Sequence, residues 1–242
     1  MKQKTKKNLL SLEICIGLLL ASCLGCSTLF GKVTIKQYFV LNYVPSSPSD
    51  SHLSGAPYPV TLRVRDFDIE ETYARPQIVY RQNPFELLYY GSKLWAVKPN
   101  RMITDLVRKQ LVSSGLVSHV VRRYDEGLSP DFELSGLIEA IEEYDSDQLW
   151  FAHLSIRLTL TRNSDGKVMY SRQFDNRKKV FKNSLEAVVQ ELSSILEFIM
   201  DQAIGDMRVI LAKDLGDSPG SSSQPDSARS GEIDKIRSSG GE

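Results

Sequence analysis

The sequence predicts an α+β domain of two layers, in which a mixed, mostly antiparallel sheet carries two main helices on one face. Three observations predict it. Several central segments alternate apolar and polar residues with the period of two that strands require. Two other segments repeat apolar residues at intervals of three and four, as helices do, and the later of these is long. Turn residues separate the segments.

The first strands are predicted from runs of β-branched and aromatic residues. They cover residues 36–43 and 60–69, and a hairpin then pairs 77–81 with 86–90. Asn83-Pro84 occupies the turn of this hairpin, because both residue types favour turns. The first half of the sheet therefore contains four strands.

The first helix is predicted over about residues 100–114. Pro99 and Asn100 open it, and Gly115 follows its last turn as a stop. Its apolar positions recur at three and four, at Met102, Ile103, Leu106, Val107 and Leu111. This stripe predicts packing against the sheet.

A short strand at 119–123 and an antiparallel meander follow. The meander comprises 131–142, 149–161 and 167–174, with turns at 144–147 and 163–166. In 149–161 every even position is apolar, whereas the odd positions include His153, Ser155, Arg157 and Thr159. One face is therefore predicted to be core, and the other to be wet or covered by polar partners.

The second helix is predicted to begin at Asn183 or Ser184 as N-cap, with Glu186 in the first turn. A single apolar stripe continues for some thirty residues, which corresponds to ~45 Å. This length predicts that the far end of the helix overhangs the sheet. Gly205 lies inside the stripe, and we expect a bend or a break there.

The N-terminus has the features of a bacterial lipoprotein signal. Four lysines precede an apolar run that is too short to span a membrane. Leu20-Ala21-Ser22-Cys23 resembles the lipobox, in which the cysteine is acylated with fatty chains such as palmitate and the peptide is cut before it. The alternative cut lies before Cys26, after Leu24-Gly25. A second alternative is a soluble exported protein whose signal merely contains cysteines.

This signal predicts the organisation of the chain. Residues 1–22 form the signal peptide, 23–35 a tether, 36–214 the folded domain and 215–242 a disordered tail rich in serine and glycine. Cys15, Cys23 and Cys26 are the only cysteines, so the domain has no disulfide and no cysteine metal site. Neither candidate cysteine is followed by aspartate, which in proteobacterial lipoproteins is compatible with sorting to the outer membrane.

Composition and motifs argue against nucleic-acid binding and against catalysis. The 30 basic and 30 acidic residues balance, so the chain lacks a basic excess for nucleic acid. The three histidines share no metal-binding spacing, and no nucleophile elbow, phosphate loop or dinucleotide motif occurs. Asp145 and Asp147 are typical of a turn rather than of a paired acidic site. We therefore expect no enzyme activity, no cofactor and no metal.

The segment 73–100 holds more aromatic and leucine residues than one face of a hairpin can bury. We expect some of them to contact a partner chain or lipid, namely Tyr80, Phe85, Tyr89, Tyr90 and Trp95. The partner would be a second copy of the chain or another protein. The alternative is that about half of them pack under the first helix.

A short motif in this segment resembles the ABC-type transport auxiliary lipoprotein family. The resemblance is carried by Arg75-Pro76-Gln77-Ile78-Val79-Tyr80-Arg81, of which Arg75, Pro76 and Gln77 form the motif, and then by Trp95, Leu106 and Leu111. A strand meander and a long terminal helix follow them, and the resemblance covers roughly 37–211. The long tail departs from the family pattern.

The resemblance implies a lipoprotein anchored in the outer membrane and facing the periplasm. Such a protein would work with an MCE-domain protein and an ABC permease and ATPase that move phospholipids or other hydrophobic molecules. The alternative is an assembly factor or chaperone for an outer-membrane barrel or a lipopolysaccharide machine. A hydrolase is favoured by none of the residues.

Overall fold

The computed structural model describes residues 34–45, 57–122, 129–146 and 149–216. The predicted signal peptide, the two candidate acylation cysteines and the predicted tail beyond Gly216 lie outside these ranges. Gln37 begins the compact unit that contains the strands and helices below.

The domain is α+β, as predicted. Its strands are β1 Gln37–Phe39, β2 Tyr58–Val64, β3 Asp68–Ile69, β4 Gln77–Asn83, β5 Glu86–Trp95, β6 Val117–Val121, β7 Phe132–Ser146, β8 Leu149–Arg162 and β9 Val168–Val180. Its helices are α1 Pro99–Ser114 and α2 Leu185–Leu215, and a 3₁₀ helix covers Glu71–Tyr73.

Strand β7 organises the sheet. On one edge it pairs antiparallel with β8, which pairs antiparallel with β9, so the predicted meander is confirmed. On its other edge β7 pairs in parallel with β2, β3 and β4 in turn. Strand β6 pairs in parallel with β2. Strand β5 pairs antiparallel with β4 and in parallel with β1, which lies at the edge of the sheet. The longest pairings are antiparallel, in agreement with the predicted mixed sheet.

Two of the predicted strands are shorter than their sequence patterns because the backbone turns to the helices. Beyond Phe39, the Leu41 amide donates to the Met102 sulfur, and the Asn42 amide donates to Ser193 Oγ. In the predicted strand 60–69, β2 stops at Val64, and the Phe67 amide donates to Thr104 Oγ1. Side chains of the helices thus replace the hydrogen bonds of a strand ladder.

A bulge in β7 changes which residues face the helices. Ile138 lies opposite Ile156, but Ala140 lies opposite Ser155, so Glu139 is an extra residue in β7. Each residue beyond the bulge therefore faces the side opposite to the one that simple alternation predicts. Glu143 shares the face of the buried Leu154, and Glu142 shares the face of His153.

Helix α1 matches its prediction closely. It begins with Pro99 in its first turn and ends at Gly115, whose φ of 58° is a left-handed conformation that glycine adopts easily. In α2, Ser184 is the N-cap, and its side chain accepts a hydrogen bond from the Ala187 amide. Asn183, the other candidate, precedes it.

The expected overhang of α2 and the expected break at Gly205 are wrong. The helix continues through Gly205 without a break, and it does not overhang the sheet. Its 31 residues correspond to ~46 Å, and the 14 residues of β8 also span ~46 Å. Met207 and Leu211 are buried, and the Tyr58 hydroxyl donates to the Arg208 carbonyl. The strands are longer than predicted, so the sheet supports the whole helix.

The core lies between the sheet and the helices. Leu154, Ile156 and Leu158 of β8 are fully buried. On the same face of β9, Arg172 pairs with Asp206 and Lys178 with Glu191, both on α2. Within the described residues, neither helix combines the length and the apolarity that crossing a membrane requires.

Candidate functional site: the β4–β5 hairpin and its buried carboxylates

The turn between β4 and β5 is well defined and exposes its apolar side chain. The Phe85 amide donates to Asn83 Oδ1 at 2.9 Å, and Asn83 Nδ2 donates to Glu86 at 3.3 Å. Arg81 also donates to the Pro84 carbonyl. These bonds fix the backbone, yet the Phe85 side chain is 99% exposed. The fold thus presents a phenyl ring to the surroundings at its tip.

On the helix-facing side of the hairpin, two tyrosines lie against a buried carboxylate. The rings of Tyr80 and Tyr90 have their centroids 4.6 Å apart. The Tyr90 hydroxyl lies 3.0 Å from both carboxylate oxygens of Glu143, and Lys93 Nζ lies 4.7 Å from the Tyr90 ring centroid. The phenol therefore satisfies a carboxylate that the bulge in β7 turns inward.

The Glu143 carboxyl is poorly compensated. Burial raises its pKa from 4.5 to about 7, and the hydrogen bond from Tyr90 opposes this shift only in part. The nearby Asp145 charge raises the pKa further, while Lys93 lowers it. Close to neutral pH the group is therefore divided between its charged and neutral forms.

On the opposite face, Glu142 is at the centre of a denser network. Its carboxylate accepts hydrogen bonds from the Tyr73 hydroxyl at 2.6 Å and from Arg81 Nε at 3.1 Å. His153 Nδ1 lies 3.0 Å from the other Glu142 oxygen, and His153 Nε2 lies 2.8 Å from Asp175. The network joins β4, β7, β8 and β9 with the 3₁₀ helix.

The partners of Glu142 outweigh the cost of its burial. Burial alone would raise its pKa, but hydrogen bonds from His153 and Tyr73 and the charge of Arg81 hold the pKa below its ordinary value. For Tyr73, burial and then Glu142 raise the pKa of the phenol. Both His153 nitrogens thus face a carboxylate oxygen. The arrangement fixes strand positions and leaves the carboxylate fully occupied within the domain.

The motif residues hold the base of the hairpin. The Arg75 guanidinium carbon lies 4.1 Å from the centroid of the Tyr89 ring. The Pro76 carbonyl accepts a hydrogen bond from the Trp95 amide at 2.7 Å, and Gln77 lies opposite Leu94. The motif thus joins the start of β4 to the end of β5.

The predicted contact residues fall into three groups. Phe85 and Tyr89 are exposed, Tyr89 by 41%. Tyr80 and Tyr90 are half-buried against each other. Trp95 is 3% exposed and packs in the core, so its indole is not part of the surface. Packing inside the domain thus accounts for some of the aromatic residues that a single hairpin face could not bury. This agrees with the alternative that part of segment 73–100 belongs to the core.

Sequence reasoning missed the burial of Glu142 and Glu143. For the face of His153 it left two outcomes open, wet or covered by polar partners, and the structure shows the second, because His153 is buried beside Glu142. Two consecutive apolar residues, Ala140 and Ile141, interrupt the alternation and are the signal of the bulge. In the described part of the chain, no group of three or more His, Cys, Asp or Glu side chains is arranged to hold a metal ion.

Comparison with known proteins gives a family match and a shared fold. Residues 39–203 match the family model described as ABC-type transport auxiliary lipoprotein component. The crystal structure of protein XCC0632 from Xanthomonas campestris is 19% identical, covers 75% of this chain and 100% of its own, and superposes with a TM-score of 0.64. A second solved structure, of an uncharacterized protein, is 15% identical, covers 72% of this chain and 99% of its own, and has a TM-score of 0.56. No curated protein matches the chain.

Proposed function

The chain belongs to the family of ABC-type transport auxiliary lipoprotein components, and from this premise we propose that it is a non-enzymatic subunit of a transporter that moves phospholipids or other hydrophobic molecules between membranes. The match over residues 39–203 carries the proposal, because it includes the hairpin, both faces of the sheet and most of α2. The family has an auxiliary transport role and is not known as an enzyme family.

The proposed anchor is a lipid on Cys23, with Cys26 as the alternative, and the proposed location is the periplasmic side of the outer membrane. The lipobox-like sequence and the lipoprotein family support it. A diacylated cysteine buries many more methylene groups than a single myristoyl chain, so attachment would be effectively permanent.

The Cys23 assignment is tested by metabolic labelling with a radioactive fatty acid. Cys23→Ala should abolish labelling and leave an uncleaved or soluble form, because the thiol is the acceptor of the lipid. Cys26→Ala serves as the matched control and should be labelled normally. Loss of label in Cys26→Ala alone would transfer the anchor to Cys26.

The proposed partners are an MCE-domain protein and, through it, the ABC permease and ATPase. Tyr89 is the contact residue that the structure supports best. Its ring is part-exposed and is held by Arg75, so it loses little conformational freedom on binding. Aromatic and arginine side chains are the commonest anchors of protein interfaces.

Co-purification with the MCE-domain protein tests this contact. Tyr89→Ala should weaken association about tenfold or more, as truncation of an interface anchor does, while the thermal unfolding midpoint stays close to wild type. Phe198→Ala on α2 is the control, since Phe198 is 53% exposed and lies outside the hairpin. Unchanged association of Tyr89→Ala, or loss of its fold, would contradict the assignment.

A further inference from the structure

Four pieces of chain meet at one end of the sheet. Arg81 of β4 lies opposite Tyr144 of β7, so the β4–β5 turn and the end of β7 are at the same level. Leu149, at the start of β8, lies opposite Ser146 of β7. The end of β9 joins them, because Val180 lies opposite Trp150. We name this region, residues 83–86, 144–146, 149–151 and 177–182, the hairpin end.

The hairpin end exposes apolar side chains at three separate positions. Phe85 is 99% exposed, Phe181 is 89% exposed and Leu149 is 42% exposed. Strands β4, β7, β8 and β9 are neighbours in that order, so Phe85 and Phe181 are separated by three strand spacings, or about 15 Å. Single exposed apolar residues are ordinary, but three at one end of a sheet indicate a surface that meets an apolar phase or partner.

Basic residues flank these side chains on the β9 side. Four exposed cations occur within six residues, at Arg177, Lys178, Lys179 and Lys182. Lys179 Nζ lies 5.7 Å from the Phe181 ring centroid, and Lys178 also pairs with Glu191. The described carboxylates of the hairpin end and of the adjoining first turn of α2 are Glu86, Asp145 and Glu186. The cations are therefore concentrated along one margin, next to Phe181.

The other end of the sheet has a different chemistry. The turn between β8 and β9 is formed by polar residues and glycine, and Asp165 pairs there with Arg162. Arg162 also pairs with Asp214 near the end of α2. Asp165 and Asp214 thus share Arg162 at that end, whereas Phe85 and Phe181 expose their phenyl rings at the hairpin end.

The direction of β1 relates the hairpin end to the proposed anchor. Strand β1 is parallel to β5, with Gln37 opposite Lys93, so the N-terminus of β1 is directed towards the hairpin end. Lys93 follows Glu86 by seven residues, which corresponds to about 23 Å along β5. Residues 23–36 precede β1, and fourteen residues reach at most ~48 Å. A lipid on Cys23 therefore lies within reach of a membrane at the level of Phe85.

We propose that the hairpin end rests on the phospholipid surface that holds the anchor. Phe85, Leu149 and Phe181 enter the interfacial layer, and the basic residues of β9 face anionic head groups. Aromatic rings favour the boundary between head groups and acyl chains, and lysine and arginine near the surface are attracted to anionic lipid. The inference rests on the lipid anchor of the proposed function. It adds an orientation of the domain on the membrane, with Phe85 and Phe181 towards the lipid.

Quenching by brominated lipids tests this orientation in the full acylated chain. The chain is reconstituted in vesicles of phosphatidylethanolamine and phosphatidylglycerol, and Phe85→Trp and Phe181→Trp each add an indole at the hairpin end. Bromine on the acyl chains should abolish the emission that each substitution adds to that of the wild type. Val168→Trp is the control, because Val168 is 55% exposed at the other end and its added emission should persist.

A charge control uses the same measurement. The double variant Lys179→Glu, Lys182→Glu in the Phe181→Trp background should lose part of the quenching, as should vesicles without phosphatidylglycerol. Lys167→Glu, in the residue before β9, should not change the quenching. Equal quenching in all of these samples would overturn the role of the basic residues.

Flotation of the vesicles separates the two levels of the inference. Protein that floats with the vesicles but shows no quenching at positions 85 and 181 would overturn the orientation and leave the anchor intact. Protein that does not float would overturn the anchor and the orientation together. Unquenched indoles whose emission depends on protein concentration would assign the hairpin end to contact between copies of the chain, and would also overturn the proposal.

Discussion

Glu142 and Glu143 are adjacent in β7, yet their pKa values shift in opposite directions. The reason is the number of partners. Glu142 has His153, Tyr73 and Arg81 around it, which together outweigh its burial. Glu143 is buried to the same degree but has the Tyr90 hydroxyl as its main hydrogen-bond donor, so burial dominates. A bulge of one residue thus produces a stable carboxylate on one face and a readily protonated one on the other.

Glu143 should make the stability of the domain depend on pH. Its folded-state pKa of about 7 lies above the ordinary 4.5, so the folded protein retains this proton to higher pH than the unfolded chain. The stabilisation from the neutral carboxyl is complete below pH 4.5 and is lost as pH rises through 7, by up to about 3 kcal/mol. Glu143→Gln should therefore gain stability relative to wild type between pH 5 and pH 8, as measured by urea unfolding.

The control for this measurement is Glu71→Gln, which removes one formal charge at an exposed position of the 3₁₀ helix. An equal difference between Glu143→Gln and wild type at pH 5 and pH 8 would contradict the assignment.

At the scale of elements, helix α2 and strand β8 of the sheet have the same length. Both the helix and β8 span ~46 Å, and α2 carries buried residues from Leu185 to Leu211. Gly205 is tolerated within this helix because neighbouring turns are held by buried residues such as Ala203 and Met207. Gly205 therefore does not interrupt the helix, but it still lowers the stability of the helix relative to alanine.

Gly205→Ala should raise the free energy of unfolding by about 1 kcal/mol, since alanine is the better helix former and the added methyl group meets no atom within 4 Å.

Gly136→Ala is the opposite case. Its methyl group would lie 2.6 Å from the buried Phe67 ring, so it should destabilise the domain by about 1 to 3 kcal/mol. Chemical denaturation of both variants measures the two effects, and changes of the same sign would refute the close packing of Gly136 against Phe67 or the open space beside Gly205.

The elements that the sequence predicts well are those with local signals. Pro99 and Gly115 delimit α1, and Ser184 begins α2, because capping depends on residues next to one another in the chain. The meander is also local. The parallel pairing of β7 with β2, β3 and β4 has no such signal, since about sixty or more residues separate the partners. Trp95 illustrates the same limit. The aromatic composition of segment 73–100 predicts a surface contact for Trp95, whereas the folded domain buries it.

At the scale of the whole molecule, the candidate site combines features that the sequence reveals to different degrees. The aromatic hairpin and its motif are visible as composition, so Phe85 and Tyr89 could be identified. The Glu142 network could not, because the parallel pairing of β4 with β7 brings Arg81 to Glu142, and the bulge turns Glu142 to the face of His153. The hairpin end likewise depends on the strand order, which brings Phe181 to the level of Phe85.

The folded domain should be complete at the end of α2. Gly216 closes the helix with a left-handed φ of 65°, and Lys213 lies in the last turn, where a positive charge suits the helix dipole. The sequence beyond Asp217 has almost no apolar residues and no periodic pattern.

A chain that stops after Asp217 should therefore keep the thermal unfolding midpoint of the full chain, as followed by circular dichroism. A chain that stops after Ile210 should unfold at a lower temperature, because it loses the buried Leu211 and the pair between Asp214 and Arg162. A clear drop in the midpoint of the first truncation would show that the tail packs against the domain.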